Sequence, residues 1–166
     1  MRLDLSKIID MPGASTDFQV SLDLSDLQFG TCFPLKTPVT ATGTVRNTAG
    51  VMMATGAIHA RLDAVCDRCG GDFQEDVEYP LDVVLVTELA DEDHEDERIY
   101  PLEGNEADMD EIIRTVFILN MDTKFLCSDD CLGLCCGCGV NLNHEKCRCE
   151  KDIDPRFAAL QQLLNK

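Results

Sequence analysis

The chain has 166 residues, 45% of them hydrophobic and 27% charged, which is the composition of a folded globular protein with room for one domain and an appendage and excludes wholesale disorder. No apolar run approaches the roughly 20 residues that a membrane-spanning helix needs. Lys and Arg number 14 against 31 Asp and Glu, a formal net charge of −17, and a body this acidic repels phosphate backbones, which disfavours simple electrostatic binding of nucleic acid.

Met1 to Gly13 holds one early Arg, no apolar h-region and no small-residue cleavage site, so it does not read as a secretory signal. The expected location is cytoplasmic. Thiols stay reduced there, and the ten cysteines read as metal or redox sites before disulfides.

The first two-thirds of the chain reads as β-structure. Phe18, Val20, Leu22 and Leu24 alternate with polar residues, the period-two mark of a half-buried strand. The habit returns over Val39 to Val45 and again over Ala57 to Val65 (Ile58, Ala60, Leu62, Ala64), with a turn signal at Asn47 to Gly50. Val77 to Val86 is a longer strand. Its consecutive Val83, Val84, Leu85 and Val86 predict burial on both faces. Residues 91–97 then place six carboxylates around His94. They lack the Asp/Asn-Gly spacing of a calcium loop, so a solvated loop is expected rather than a metal site.

Asp108 to Asn120 reads as a helix, with Ile112, Val116 and Leu119 on one face and Ile113 and Phe117 beside it. Asp108 and Glu111 form a capping pair at its start. Near the end, Asp154-Pro155 signals a second helix start, followed by an apolar stripe of Phe157, Leu160, Leu163 and Leu164.

Two segments share the pattern Cys-x-x-Cys-Gly: Cys66 to Gly70 and Cys135 to Gly139. This spacing lets two thiolates converge on one tetrahedral ion, and the Gly permits the positive φ that wraps the chain beneath it. Each knuckle needs two more ligands. Cys147 and Cys149 follow the second knuckle after eight intervening residues, so Cys135, Cys138, Cys147 and Cys149 are assigned to one site. Cys66 and Cys69 then join Cys127 and Cys131 across 57 intervening residues, stapling the cysteine-rich segment to the strand region. Swapping the knuckles between the two pairs is the alternative. Cys32 is expected to be a small core residue, and Cys136 could compete with Cys135. Four thiolates leave no open position for water. The sequence also lacks both the H-E-x-x-H motif and the deaminase signature, so catalytic zinc is not expected. Nor does a helix pattern follow Cys69, as a thioredoxin-like motif would require.

The Cys66-Asp67-Arg68-Cys69 string, the acidic mid-chain run, the segment from Cys127 through Gly133-Leu134-Cys135 to Asn141-Leu142-Asn143, and the closing Asp154-Pro155-Arg156-Phe157 resemble the YceD-like family, the large ribosomal RNA subunit accumulation protein family. The resemblance spans most of the chain. It implies a role in accumulation of large-subunit ribosomal RNA, hence in ribosome assembly, and the family's genes commonly sit beside one for a small zinc-ribbon ribosomal protein. The family usually carries another residue at Cys136, which implies that Cys136 is not a ligand.

The expected protein is therefore α+β. Residues 1–122 form a β-rich antiparallel domain with one central helix, 123–150 a cysteine-rich zinc segment stapled to 66–69, and 151–166 a C-terminal helix. The expected cofactor is zinc, two ions per chain. The expected function is non-enzymatic, an assembly factor that binds a basic ribosomal protein. Two rivals stand beside it. One is a holdase chaperone switched by thiol oxidation. The other is a direct RNA-binding zinc module that uses Arg61, Arg68, Lys124, Lys146, Arg148, Lys151 and Arg156.

Overall fold

The computed structural model describes residues 1–30, 32–87 and 98–149. The acidic run at 91–97 and the predicted helix after Pro155 lie outside the described residues. In chain order the elements are β1 (Arg2–Asp4), α1 (Ser6–Ile9), β2 (Ser15–Leu22), β3 (Val39–Thr48), β4 (Val51–Val65), β5 (Asp72–Val86), β6 (Ile99–Pro101), β7 (Glu106–Asp108) and α2 (Met109–Asn120). The fold is α+β. A five-stranded sheet runs β2-β3-β4-β5-β6, and β1 pairs with β7 in a separate two-stranded ribbon. Pairing is antiparallel except between β5 and β6, which run parallel. No helix among the described residues is long and apolar enough to cross a membrane.

The period-two patterns sort the sheet into two faces. Phe18, Val20, Val39, Ala41, Val45, Ile58, Leu81 and Val83 are buried in one core. α2 packs against β5 and β2, and α1 against β3. Asp108 caps α2 as its pattern predicts, its side chain accepting from the Asp110 and Glu111 amides. Asp108→Ala should therefore cost about 1 kcal/mol, read as a lower urea midpoint with an unchanged slope. Met109, Ile112, Ile113, Val116 and Phe117 face inward, and the Phe117 ring meets Tyr79 edge-on at 5.5 Å. Leu119, predicted on the buried stripe, is exposed instead, because α2 ends at Asn120 before another turn brings a partner over it.

Two strand predictions need correction. Val83 and Leu85 are buried, but Val84 and Val86 are only half-buried: beyond β5 lies only the three-residue β6, and the outer face has no covering layer among the described residues. β5 also begins at Asp72 rather than Val77, pairing residue by residue with β4 from Val65↔Asp72 to Met52↔Leu85. Its first residues, Asp-Phe-Gln-Glu-Asp, are too polar to read as strand. The β3–β4 turn falls at Ala49-Gly50, both with positive φ (54° and 93°), the two-residue geometry that suits right-handed strand twist. Buried Asn47 secures it, accepting from the Gly50 amide and donating to the Ile8 and Ile9 carbonyls at 2.8 Å.

Candidate metal centres

The long β4–β5 hairpin closes through Cys66 to Gly71, so the first Cys-x-x-Cys pair sits at the tip of the longest strand pair in the sheet. Within the tip, the Cys66 amide donates to the Gly71 carbonyl (2.9 Å) and the Gly70 amide to the Cys66 carbonyl (2.8 Å). The second knuckle repeats this turn. There the Cys135 amide donates to the Val140 carbonyl (2.8 Å) and the Gly139 amide to the Cys135 carbonyl (2.9 Å). Gly70 and Gly139 occupy the same place, at φ 67° and 70°, where a Cβ would be strained.

The sulfurs gather into two groups. Cys66, Cys69, Cys127 and Cys131 form one, and Cys135, Cys138, Cys147 and Cys149 the other, with all sulfurs of a group within 4.8 Å of one another. Swapped knuckles are not the arrangement found. In the first group Cys66 Sγ lies 3.8 Å from Cys131 Sγ, and Cys69 Sγ 3.7 Å from Cys127 Sγ. In the second, Cys135 Sγ lies 3.3 Å from Cys147 Sγ and 3.7 Å from Cys149 Sγ. A tetrahedron with ~2.3 Å metal–sulfur bonds has edges of about 3.8 Å, so the donor sets fit a thiophilic divalent ion. No disulfide joins any of the ten cysteines.

The electrostatics support thiolates. Burial pushes the Cys66 thiol up, but amides of Cys127, Cys69 and Arg68 aimed at its sulfur outweigh this and bring it down to about 6. In the second knuckle the Cys138 and Gly137 amides likewise lower Cys135 to about 6. The donors two and three residues on are therefore the same in both turns. Cys127 is pushed up to about 12, chiefly by its contact with Cys131, and Cys149 to about 12, chiefly by Cys138. Crowded sulfurs cannot all carry charge alone, and a bound dication relieves that repulsion.

The two groups differ in setting. Cys66, Cys69 and Cys131 are buried and pack with Phe73 and Leu126, whereas Cys138, Cys147 and Cys149 are exposed. Cys136 is also exposed and belongs to neither group. Cys32 packs half-buried against the main core, its thiol donating to the Phe29 carbonyl at 3.3 Å.

Several positioning residues escape the sequence reading. Asp67 accepts from the Phe125 amide through its carboxylate and donates to the Phe125 carbonyl through its own amide, both at 2.8 Å. The Arg68 guanidinium donates to the carbonyls of Asp129 (3.0 Å) and Cys131 (3.2 Å), and its carbonyl accepts from Leu134. The two middle residues of the first knuckle thus clamp the segment that brings Cys127 and Cys131. Gly133 passes so close that a Cβ would lie 2.9 Å from the Arg68 carbonyl oxygen, and a Cβ on Gly137 would lie 2.6 Å from Cys149 Sγ. Asn143, in the chain between Cys138 and Cys147, donates to Cys131 Sγ at 3.3 Å and accepts from the Leu132 amide at 2.8 Å. One amide from the second loop therefore braces the first sulfur group. Asn143→Ala should cost about 1 kcal/mol and speed hydrogen exchange at Leu132; an unchanged Leu132 amide would show that the brace is idle. The sequence signals these residues only as parts of the strings that carry the family resemblance, Asp67-Arg68, Gly133 and Asn141-Leu142-Asn143, with no role attached.

Of the cations proposed for RNA contact, Lys124 and Lys146 are exposed, and three others are engaged within the chain. Arg61 pairs with Gln74 (2.7 Å), Arg68 is used internally as above, and Arg148 pairs with Glu145. Lys151 and Arg156 lie outside the described residues.

Together these features define a β-sheet protein with one tetrathiol cluster at a hairpin tip and a second beside it. The chain belongs to the family of the large ribosomal RNA subunit accumulation protein YceD, whose sequence model matches residues 54–164. It is similar to the large ribosomal RNA subunit accumulation protein YCED homolog 1, chloroplastic, of Arabidopsis thaliana, with 24% identity over 148 residues covering 72% of this chain and 46% of that protein. The chain thus spans less than half of that relative's length. It is also similar to the uncharacterized proteins Rv2926c of Mycobacterium tuberculosis and Mb2951c of Mycobacterium bovis, each 25% identical over 174 residues, 99% of this chain and 81% of theirs. No solved structure matches it.

Proposed function

We propose that the chain is a non-enzymatic, zinc-stapled factor that supports large-subunit ribosomal RNA accumulation in the cytoplasm by holding a basic ribosomal protein. The observation that carries the structural role is the donor set. Each group supplies four cysteine sulfurs at tetrahedral spacing, which leaves no vertex for a reactive water. Cys66, Cys69, Cys127 and Cys131 would hold one zinc ion, and Cys135, Cys138, Cys147 and Cys149 the second. Residues 1–122 then form the body, 123–150 the zinc segment and 151–166 a terminal helix. Membership of the YceD family supports the ribosomal role.

Charge supports the choice of partner. Two ions add +4 and eight thiolates −8, so the loaded chain stands near −17 − 4 = −21. Such a field attracts basic proteins and repels RNA. The six carboxylates of 91–97 would steer association, so neutralising them should lower the on-rate more than it raises the off-rate. The test is affinity purification of the full chain with nuclease treatment, at low and at physiological salt, together with elemental analysis. Two zinc ions per chain and a nuclease-resistant, salt-sensitive basic ribosomal protein are expected. Tight binding of naked ribosomal RNA at physiological salt, with no affinity for any basic ribosomal protein, would sink the reading.

A second reading, the oxidation-switched holdase, is favoured only by the exposure of Cys138, Cys147 and Cys149. Mild peroxide separates the two. Zinc release coupled to a gain of binding to unfolded protein supports the switch, and oxidation without such a gain removes it.

A further inference from the structure

Two hollows of about 540 and 610 Å3 meet beneath the first knuckle, and Cys32 and Val65 line both of them. Val65 closes β4 on the outer face of the sheet. The three outer positions just before it, His59, Arg61 and Asp63, are polar or charged. Val65 breaks that rule and is 44% exposed, and Phe33 beside it is 53% exposed. Phe73 lines one hollow and Phe29 and Phe125 the other. The trough therefore has an apolar floor at a sheet end where the neighbouring outer positions are polar. The floor is firmly held, because Asp67 fixes Phe125 through two 2.8 Å hydrogen bonds.

The rim is acidic at both ends. Asp63 and Asp72 border the first hollow, Asp67 and Asp122 the second. Lys36 is the one cation among the described lining residues, 3.8 Å from Asp63. An apolar trough between carboxylates selects its occupant by charge. A second copy of this chain would bring −17 against −17, and an RNA would set phosphates against the rim. The chain's own 151–166 stretch carries three Lys/Arg against two Asp, too nearly neutral to match it.

We infer that this trough docks a cationic segment of a partner protein, one bulky apolar side chain lying over Val65 while flanking Lys or Arg side chains meet Asp72 and Asp122. This deepens the reading of a basic partner and rests on it. An apolar anchor within a charged rim is the arrangement in which a few central residues dominate affinity.

The test uses the full-length, metal-loaded chain and fluorescence anisotropy with a labelled peptide of Lys and Arg around one central Phe. Wild type should bind it at least about tenfold more tightly than the same peptide with Ser for Phe, and Val65→Lys should weaken binding by about tenfold. Asp72→Asn with Asp122→Asn should flatten the salt dependence. Should Val65→Lys fail to fold, Phe33→Lys on the exposed flank serves in its place. Equal binding of the Phe and Ser peptides, or unchanged binding by the trough variants, overturns the inference. So does tighter peptide binding after Phe157→Ser with Leu160→Ser, because the chain's own end would then be the occupant. The purification described above separates this idea from the wider one. A Val65→Lys chain that retains the basic ribosomal protein as wild type does rejects the trough alone, whereas a wild type that retains none rejects the basic-partner reading.

Discussion

Cys66→Ser is expected to loosen the end of the sheet and the cysteine-rich segment together, whereas Cys147→Ser loosens only the latter. Cys66 is 1% exposed at the end of β4, and its sulfur faces Cys131 across 3.8 Å. The link joins the hairpin tip to a segment separated from Cys69 by 57 intervening residues. Closing so long a loop removes more chain entropy than the eight-residue interval of the second site, though only logarithmically. The larger difference is energetic coupling. Structural zinc contributes on the order of 10–16 kcal/mol of apparent binding free energy at neutral pH, and with zinc in the first site that free energy would hold β4, β5 and the 125–134 segment at once. We expect Cys66→Ser to cost more than about 4 kcal/mol and to abolish protection in both regions. Cys147→Ser, among exposed sulfurs, should leave β4 and β5 protected. Hydrogen exchange of the two variants decides it: loss in the same segments for both would contradict the division into two sites. A chelator that strips the exposed site first, with β4–β5 amides still protected, is the corresponding expectation for the unmutated chain.

Gly56→Ala should be among the most damaging single-methyl insertions in the sheet. Gly43 and Gly56 face each other in the β3–β4 register. A Cβ on Gly56 would lie 2.2 Å from the Thr42 carbonyl oxygen and 2.7 Å from Gly43 Cα. On Gly43 it would lie 2.3 Å from the Thr55 carbonyl oxygen and 2.8 Å from the Phe18 ring. The Thr42 and Thr55 oxygens are backbone atoms of the paired strands, so neither can swing aside without breaking the ladder. The expected cost exceeds the ~1–3 kcal/mol of ordinary overpacking, and Gly56→Val should not fold. Denaturant unfolding of Gly56→Ala checks this. A change within about 0.5 kcal/mol, the range of an ordinary surface substitution, would mean that the strands part more easily than this geometry implies.

Much of this molecule is legible in its sequence. Alternation of Phe18 and Val20, of Val39, Ala41 and Val45, and of Ile58 to Ala64 places the strands, because a one-sided sheet needs that period. Asp108 marks the start of α2, because an uncapped helix leaves amides unpaired. The cysteine spacings single out eight metal-ligand candidates, because Cys-x-x-Cys-Gly is nearly the shortest turn that aims two sulfurs at one point.

Only the tertiary structure decided the rest. That the first knuckle is a hairpin tip depends on Asp72–Asp76 pairing with β4, and cross-strand hydrogen bonds leave no trace in so polar a run. Which cysteine pair joins which knuckle depends on Asp67 and Arg68 gripping the backbone at Phe125, Asp129 and Cys131, long-range contacts that no local period encodes. The half-exposure of Val84 and Val86 follows from what lies over them, and the trough at Val65 from the meeting of Phe29, Gly30, Cys32 and Phe33 with the ends of β4 and β5. Local chemistry thus fixes the elements and the donor atoms. Their partners are set by the free energy of the assembled chain, in which residues distant in sequence share one surface.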